Sequence, residues 1–431
     1  MPAERTTYPA LFRIPAFPRL AGGVVLGRTA AQMTQLALVL FVLQRFHSPA
    51  LAGVTVFLAV APGVAVSPIA GAMLDRYGRV RLITLDYLVA ALTLGAIVGL
   101  DSTSRLTPAV LLPIVTVGSL TYSLSTSGAR SLLPLIVPKA LWDRANALDS
   151  IAYAVTIAAG PALAGVLTGW SGPRLALIAT AAVFVGAAGF VLGLPDPRVE
   201  RRSRPILAQA WDGVAYVLVR NRTLRGIMAV VSLMNLGLGI LVVALPVMVF
   251  ARLHGSPTLV GGLWATFGLA GIPSALIFGR FNTDGCERLV MGVSDLVGGL
   301  AVGVLAFAGN AWLVAAAMLL AGLSNGPFDV CMFSLRQRRT DRAWFGRAFA
   351  VSMGLNWAGQ PLGSALSGPL IQVGLTVAFI AAAGFILLGA ALLPWVIPAD
   401  AAGTISAESA RQSRRDRPVE ESPSSAEQGA G

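Results

Sequence analysis

Long apolar blocks separated by short polar punctuation make up most of the chain. They run over about 18–44, 50–73, 82–101, 108–130, 146–168 and 172–194. After a polar stretch they resume over about 224–251, 257–280, 289–309, 311–333, 347–371 and 375–397. Each block is roughly 20 residues or more, enough for an α-helix to cross a hydrocarbon layer about 30 Å thick. No strict alternation of apolar and polar positions runs through them, which excludes a membrane barrel. The pattern predicts an all-α membrane protein of twelve transmembrane helices, spans 1 to 12, in two sets of six. The first is long enough to need tilt. The expected organisation is an N-terminal segment (1–17), a first half (18–194), a linker (195–223), a second half (224–397) and a tail (398–431). No short apolar region with a small-residue cleavage site comes first, so no removable signal peptide is read.

Composition agrees: 55% of the 431 residues are hydrophobic and only 12% charged, against about 25% charged in an ordinary soluble domain. The net charge of +12 would suggest nucleic acid in a soluble protein, but its distribution argues otherwise. With the N-terminus inside, 27 of the 32 Lys and Arg residues fall on the inner ends, inner loops and termini, and four (Arg45, Arg105, Arg174, Arg252) on outer loops. The last, Arg28, lies within span 1. This is the positive-inside asymmetry, and it predicts a multi-pass protein of the cell (inner) membrane with both termini cytoplasmic. No nucleic-acid partner follows from it. Within the linker, Ile206, Leu207, Ala210, Trp211, Val214, Val217 and Leu218 recur at helical spacing, predicting a short amphipathic helix on the inner leaflet. The tail, rich in Ser, Glu, Arg, Ala and Gly, cannot bury a core and is expected to be disordered.

Little else points to chemistry. Cys286 and Cys331 form neither a disulfide framework nor a metal set, and His47 and His254 sit in short connections. Glycine-rich stretches such as 298–303 lack G-x-x-x-x-G-K-[ST], and Lys139 is the lone lysine, so no ATPase is read. Neither a buried nucleophile with a paired base nor a cofactor motif is present, so no enzyme, metal or cofactor is expected.

The halves share a weak repeat. Residues 144–167 and 347–370 align without gaps, with eight of 24 positions identical. Among them are Gly160/Gly363, Gly165/Gly368, Arg144/Arg347 and Leu163/Leu366, which makes spans 5 and 11 equivalent members of a duplicated six-helix unit.

The loop between spans 2 and 3 reads Gly71-Ala-Met-Leu-Asp75-Arg76-Tyr-Gly78-Arg79-Val-Arg81. Gly71 permits close backbone approach, Gly78 makes a tight turn, Asp75 suits a neighbouring helix N-terminus, and the arginines hold the loop inside. The loop resembles the signature G-x-x-x-D-R-x-G-R-[RK] of the major facilitator superfamily. The stretches 128–165 and 214–226 look like its drug and siderophore exporter branch, which includes macrolide-efflux-like proteins. The resemblance implies the major facilitator fold, a latching or gating role for the loop, and an antiporter-like turn at Gly160, Pro161 and Gly165. It also implies that spans 1, 4, 7 and 10 line a cavity. Two departures stand out: Ala30 and Ala31 replace a Gly-Asp pair of span 1, and Leu135 replaces an acid after span 4. The usual proton carrier of span 1 is thus missing.

Polar residues buried in lipid are costly and therefore candidate functional groups. Arg28 lies about 13 Å along span 1 from Arg19 and costs about 2.5–3.5 kcal/mol unless paired or wet. Gln32 and Gln35 share its face. Tyr122, Thr126, Asn235, Asn356 and Gln360 complete the cavity candidates, with Tyr153 and Asn325 also facing inward. For Arg28, a clamp on Asp329 or on backbone carbonyls competes with a role facing substrate and with snorkelling to the inner interface. For Asn356 and Gln360, interhelical hydrogen bonding competes with ligand contact. Asp86, Asp149 and Asp295 are expected to be solvated or capping, and Asp329 is the proton-coupling candidate. The expected function is efflux of small amphiphilic or apolar compounds by proton antiport, from a monomer in contact with membrane lipid. A facilitator or symporter taking up a metabolite, and a non-transporting receptor or scaffold, remain as alternatives.

Overall fold

The computed structural model describes residues 8–196, 214–281, 283–340, 352 and 356–398. Most of the linker and all of the tail beyond Pro398 lie outside these residues, and with them the expected amphipathic helix and the expected disorder. The linker's last turn, Tyr216–Arg220, buries Tyr216 and Val217 beside Leu224.

The spans follow from the blocks that predict them. Span 1 is Ala16–Phe46, span 2 Pro49–Tyr77, span 3 Arg79–Ser102, and span 4 the pair Pro108–Ser119 and Tyr122–Ile136. Spans 5 and 6 form one run, Trp142–Val191, bent at Ser171 and Gly172, where Gly172 takes a positive φ of 83°. Span 7 is Arg222–Ala251, span 8 Pro257–Phe278, span 9 Glu287–Val304, span 10 Ala311–Arg338, span 11 Gly359–Val373 and span 12 Leu375–Val396. Among the described residues, nine helices are long and apolar enough to cross a membrane. One of these is spans 5 and 6 read through the bend. Span 9 falls short because it carries Glu287, Arg288 and Asp295, and span 11 is described over only 15 residues.

Two departures have local causes. Span 4 is interrupted at Leu120 and Thr121, where the hydroxyls of Ser119 and Thr121 bond back to the carbonyls of Thr116 and Gly118. Such back-bonding bends helices. Span 9 ends at Val304, earlier than the apolar block predicts, because 305–308 fold into turns bonded to Val302, Gly303, Val304 and Leu305.

Packing repeats between the halves. Span 1 lies on spans 5 and 6, span 3 on spans 4 and 6, and span 2 on span 4. Correspondingly span 7 lies on spans 11 and 12, span 9 on spans 10 and 12, and span 8 on span 10. The repeat reaches the first connection of each half. Arg45-Phe-His47-Ser48-Pro49 corresponds to Arg252-Leu-His254-Gly-Ser256-Pro257. Both histidines are left-handed, φ 52° and 48°, and both serines cap the next helix, accepting from the amides of Leu51 and Leu259. A proline stands first in each capped helix.

This connection also explains why arginines occur at the end of the bundle away from the termini. Asp101, its side chain 1% exposed, accepts from Arg45 at 2.7 Å and from Arg174 at 2.5 Å, clasping spans 1, 3 and 6. In the second half Arg252 donates to the carbonyl of Ala306 at 2.9 Å and to Thr376 at 3.3 Å, clasping spans 7, 9 and 12. These arginines stand against the charge bias because each clasp they form holds three helices. Replacing Asp101 with Asn should lower the stability of the purified protein by on the order of 1–2 kcal/mol. Replacing the exposed Arg105 with Gln should leave its thermal unfolding curve unchanged.

Candidate functional site

The polar groups of the interior fall into three clusters, set by which helix faces meet. In the first, Arg28 of span 1 makes a two-pronged ion pair with Asp149 of span 5, at 2.6 and 3.1 Å. Its guanidinium also lies 5.5 Å from the ring centre of Tyr153, one turn further along span 5. The expected clamp is therefore present, but on Asp149 rather than Asp329, and Asp149, partly solvated, is an ion-pair partner rather than a helix cap. Gln32 follows on the same face of span 1, and there span 5 comes closest: a β-carbon on Gly160 would lie 2.4 Å from that of Gln32. Gln32, Gln35 and Gln360 are half-buried, and Thr126 is exposed with its hydroxyl turned back on the Tyr122 and Ser123 carbonyls.

The second cluster joins the halves. Tyr153 lies within electrostatic range of Arg28, Tyr122 and Arg130 from the first half and Asp329 from the second. Asp329 accepts from Asn325, one turn earlier on span 10, at 3.0 Å. Arg336, two turns further along the same face, is fully buried. It is not the interfacial charge that its place near the end of span 10 suggests. In the amide orientation that satisfies its neighbours, Asn356 accepts from Arg336 at 2.6 Å and donates to the Ser352 carbonyl at 3.0 Å. Asn235 donates to the Asn356 carbonyl at 2.9 Å. Asn235 and Asn356 thus leave the list of cavity-wall residues. Both are buried between helices, where their amides satisfy neighbouring polar groups.

A third group is unexpected: Asp86 and Asp295 are both buried in the third helix of their halves, not solvated. Asp86 faces Ser125 and Thr121 at the interruption of span 4, whereas Asp295 Oδ2 has no hydrogen-bond partner among the described residues.

At the loop between spans 2 and 3, Gly78 has φ 96°, a value that favours glycine. Asp196, the first acid of the linker, accepts from the Val80 amide at 3.0 Å and so occupies the positive N-terminus of span 3. Arg79 is buried and donates to Ser131 of span 4 at 3.1 Å, and Arg76 lies over the Tyr77 ring. Arg81 is exposed. The side chains of Gly71 and Asp75 lie outside the described part. In the matching loop of the second half, Arg338 pairs with Asp284 at 2.8 Å and with Glu287.

Gly160, Pro161 and Gly165 do not form a turn. They lie in unbroken helix, and their role is close approach. A β-carbon on Gly165 would lie 2.6 Å from Cα of Gly261 in span 8. Its repeat partner Gly368 in span 11 would meet Cα of Ala50 in span 2 at 2.4 Å, and Gly53 of span 2 would meet the Ser364 carbonyl at 2.2 Å. The end of the bundle opposite the loop between spans 2 and 3 is closed by these two related contacts, span 5 on span 8 and span 11 on span 2.

Sequence reasoning missed Asp149, Asp196, Asp295 and Arg336. Spacing held a partial signal: Asp149 and Tyr153 are four apart, and Asn325, Asp329 and Arg336 share a helix face.

The chain matches the family model described as Major Facilitator Superfamily over residues 20–281 and 227–426. It is 39% identical over 417 residues, 92% of this chain and 98% of the relative, to an uncharacterized MFS-type transporter, y4rN, of Sinorhizobium fredii. It is 25% identical over 359 residues, 79% of this chain and 85% of the relative, to the multidrug efflux pump Tap of Mycolicibacterium fortuitum. Its fold resembles the nucleoside transporter NupG, with TM-score 0.70 at 14% identity over 88% of this chain and 98% of that one. A bacterial homologue of the iron transporter ferroportin in its inward-facing state gives TM-score 0.69 at 16% identity, over 89% and 98% of the two chains.

Two outcomes follow. Arg28→Ala and Asp149→Ala should each destabilise the purified protein by about 1–3 kcal/mol, less than a fully buried pair because both groups keep some solvent contact. The double variant should lose no more than the worse single one, and additive losses would show the two groups acting apart. Gly165→Val, which sets side-chain atoms against the Gly261 backbone, should cost about 1–3 kcal/mol and abolish close approach of spans 5 and 8. Gly186→Ala, in open space on span 6, should leave thermal unfolding unchanged.

Proposed function

The chain belongs to the major facilitator superfamily and is a multi-pass membrane transporter, not an enzyme; from that premise we propose that it exports small amphiphilic or apolar compounds in exchange for protons. The observation that carries the proposal is Asp329. It is a half-buried carboxylate of the second half that accepts a hydrogen bond from a neutral amide, Asn325, and lies within electrostatic range of Tyr153 of the first half. Arg28 already has a carboxylate in Asp149; Asp329, with Arg336 of its own helix in electrostatic range and Tyr153 across the halves, is in this reading the carboxylate that exchanges a proton.

In this reading Asp329 takes up a proton when the site faces one side and releases it when it faces the other. Arg28, Gln32, Gln35, Tyr122, Thr126 and Gln360 offer polar contacts in an otherwise apolar wall, which suits amphiphilic substrates. The two halves rock about this midplane site. The pairs 5–8 and 2–11 close the outer side, and the loop carrying Gly71, Asp75, Arg76, Gly78, Arg79 and Arg81 latches the inner side. The termini face the cytoplasm, and the protein works as a monomer in the inner membrane. The similarity to a pump named for multidrug efflux supports export over uptake.

In everted vesicles with an imposed pH gradient, adding transported amphiphilic compounds should dissipate part of the gradient. Asp329→Asn should abolish that response while leaving the protein folded. Cells lacking their own exporters should accumulate less of at least one such compound when the chain is expressed. Unchanged gradients with every accumulated or excluded compound would overturn antiport, and raised accumulation would favour uptake.

A further inference from the structure

At the start of span 1 and the ends of spans 4 and 6 lies a half-open cleft of about 430 Å³, walled mainly by apolar side chains, among them Ile14, Leu135, Ile136 and Leu194. The one charged residue in its wall is Arg19, exposed in the first turn of span 1. Its Nη2 donates to the Leu192 carbonyl and lies against Gly193, whose φ of 77° turns the chain after span 6. The guanidinium is thus held at the cleft by one carbonyl, and its remaining N–H groups are there to be satisfied. Among the described residues no carboxylate pairs with it.

The surroundings are those of a membrane surface. A short helix, Tyr8–Phe12, precedes span 1 and buries Leu11 with Phe17, Val137 and Leu141, while Tyr8 and Phe12 are about half exposed. Aromatic rings placed this way suit the boundary between lipid and water. Arg13 immediately precedes Ile14, and Lys139 stands three residues after Ile136. Both are exposed, and neither has a carboxylate partner among the described residues. Leu135, which stands where the exporter branch usually has an acid, lines the same cleft as Arg19. With leucine there, the wall offers Arg19 no counter-ion.

A guanidinium without a carboxylate, set among apolar side chains where helices end, matches a ligand that is anionic at one end and apolar at the other. A phosphodiester carries one negative charge, and its oxygens suit the two-pronged geometry of arginine. Free inorganic phosphate would leave the apolar wall uncovered. The ammonium of a zwitterionic head group would meet cations and no acid. We infer that the cleft binds one anionic glycerophospholipid, its phosphodiester on Arg19 and the upper part of an acyl chain on Leu135, Ile136 and Leu194. Arg13 and Lys139 add attraction for the acidic head group, as basic pockets between transmembrane helices do. The lipid joins the ends of spans 1, 4 and 6, in the inner leaflet for the orientation proposed above. Its binding requires neither export nor proton exchange.

The test is thermal unfolding of the detergent-purified full chain, titrated with phosphatidylglycerol, with phosphatidylcholine of the same acyl chains, or with inorganic phosphate. Phosphatidylglycerol should raise the melting temperature with saturation, and phosphatidylcholine and phosphate should not. Arg19→Gln should need roughly tenfold more phosphatidylglycerol for half the shift. Leu135→Asp, which gives Arg19 a carboxylate at a partly exposed position, should fold and lose the shift, which keeps the test open if Arg19→Gln does not fold. Arg280→Gln, at an exposed arginine of the second half, should keep the shift. Native mass spectrometry should find one phosphatidylglycerol retained by the wild type and none by Leu135→Asp. Equal shifts with the two lipids would overturn the preference for an anionic head group, and the same shift with phosphate alone would overturn the lipid. A phosphatidylglycerol shift unchanged in both Arg19→Gln and Leu135→Asp would overturn the cleft. None of these measurements reads transport, so failure of antiport and failure of this site are told apart.

Discussion

Between the halves, two pairs of helices touch through their backbones, and the architecture depends on it. Gly165 against Gly261, and Gly53 and Gly368 against Ser364 and Ala50, bring span 5 onto span 8 and span 11 onto span 2 at distances no side chain permits. In lipid there is no hydrophobic drive to join one apolar helix to another, so close approach of small residues supplies the attraction through van der Waals contact. Such a contact is also reversible. It buries no ion pair and locks no long side chain, so parting costs little beyond lost dispersion. Within each half similar glycine contacts recur, as at Gly363 on Leu236 and Gly322 on Phe267, and polar bonds are added to them: Arg45 and Arg174 on Asp101, Arg252 on Ala306 and Thr376, and Asn356 with Arg336. The halves carry these polar clasps in addition to their glycine contacts, whereas the two seams between them rest on small residues, an arrangement suited to the proposed rocking.

Buried charge follows the same logic. Arg28 and Asp149 neutralise each other inside the first half, and Arg336 spends a hydrogen bond on Asn356 inside the second. Asp329 and Asp295 lie in the second half on adjoining helices, one facing the other half and one sealed within its own. The family fold positions these groups, but the chemistry rests on which carboxylates have partners and which do not.

Much of this was legible in the chain. The twelve spans, the charge bias and the repeat of spans 5 and 11 are periodic or cumulative signals, and a single helix suffices to express each. The glycines of the seams were visible as a motif, yet were expected to turn the chain, because spacing along a helix does not say what stands opposite. For the same reason the partner of Arg28 was missed: a carboxylate's neighbour on another helix depends on tertiary register. The Arg-x-His-Ser-Pro likeness of the two first connections was short enough to escape notice, although it marks where each clasp begins. Asn235 and Asn356 show the converse, polar residues on spans that suggest a cavity but that face neighbouring helices instead.

In the proposed cycle the seam of spans 5 and 8 parts, and Asp329 governs its parting. Spin labels at Trp170 and Gly262, both exposed near that seam, report it directly by double electron–electron resonance once Cys286 and Cys331 are replaced. The account predicts two distance populations whose ratio changes between acid and neutral pH, and a ratio fixed at all pH values in Asp329→Asn. One invariant short distance in both proteins would contradict it.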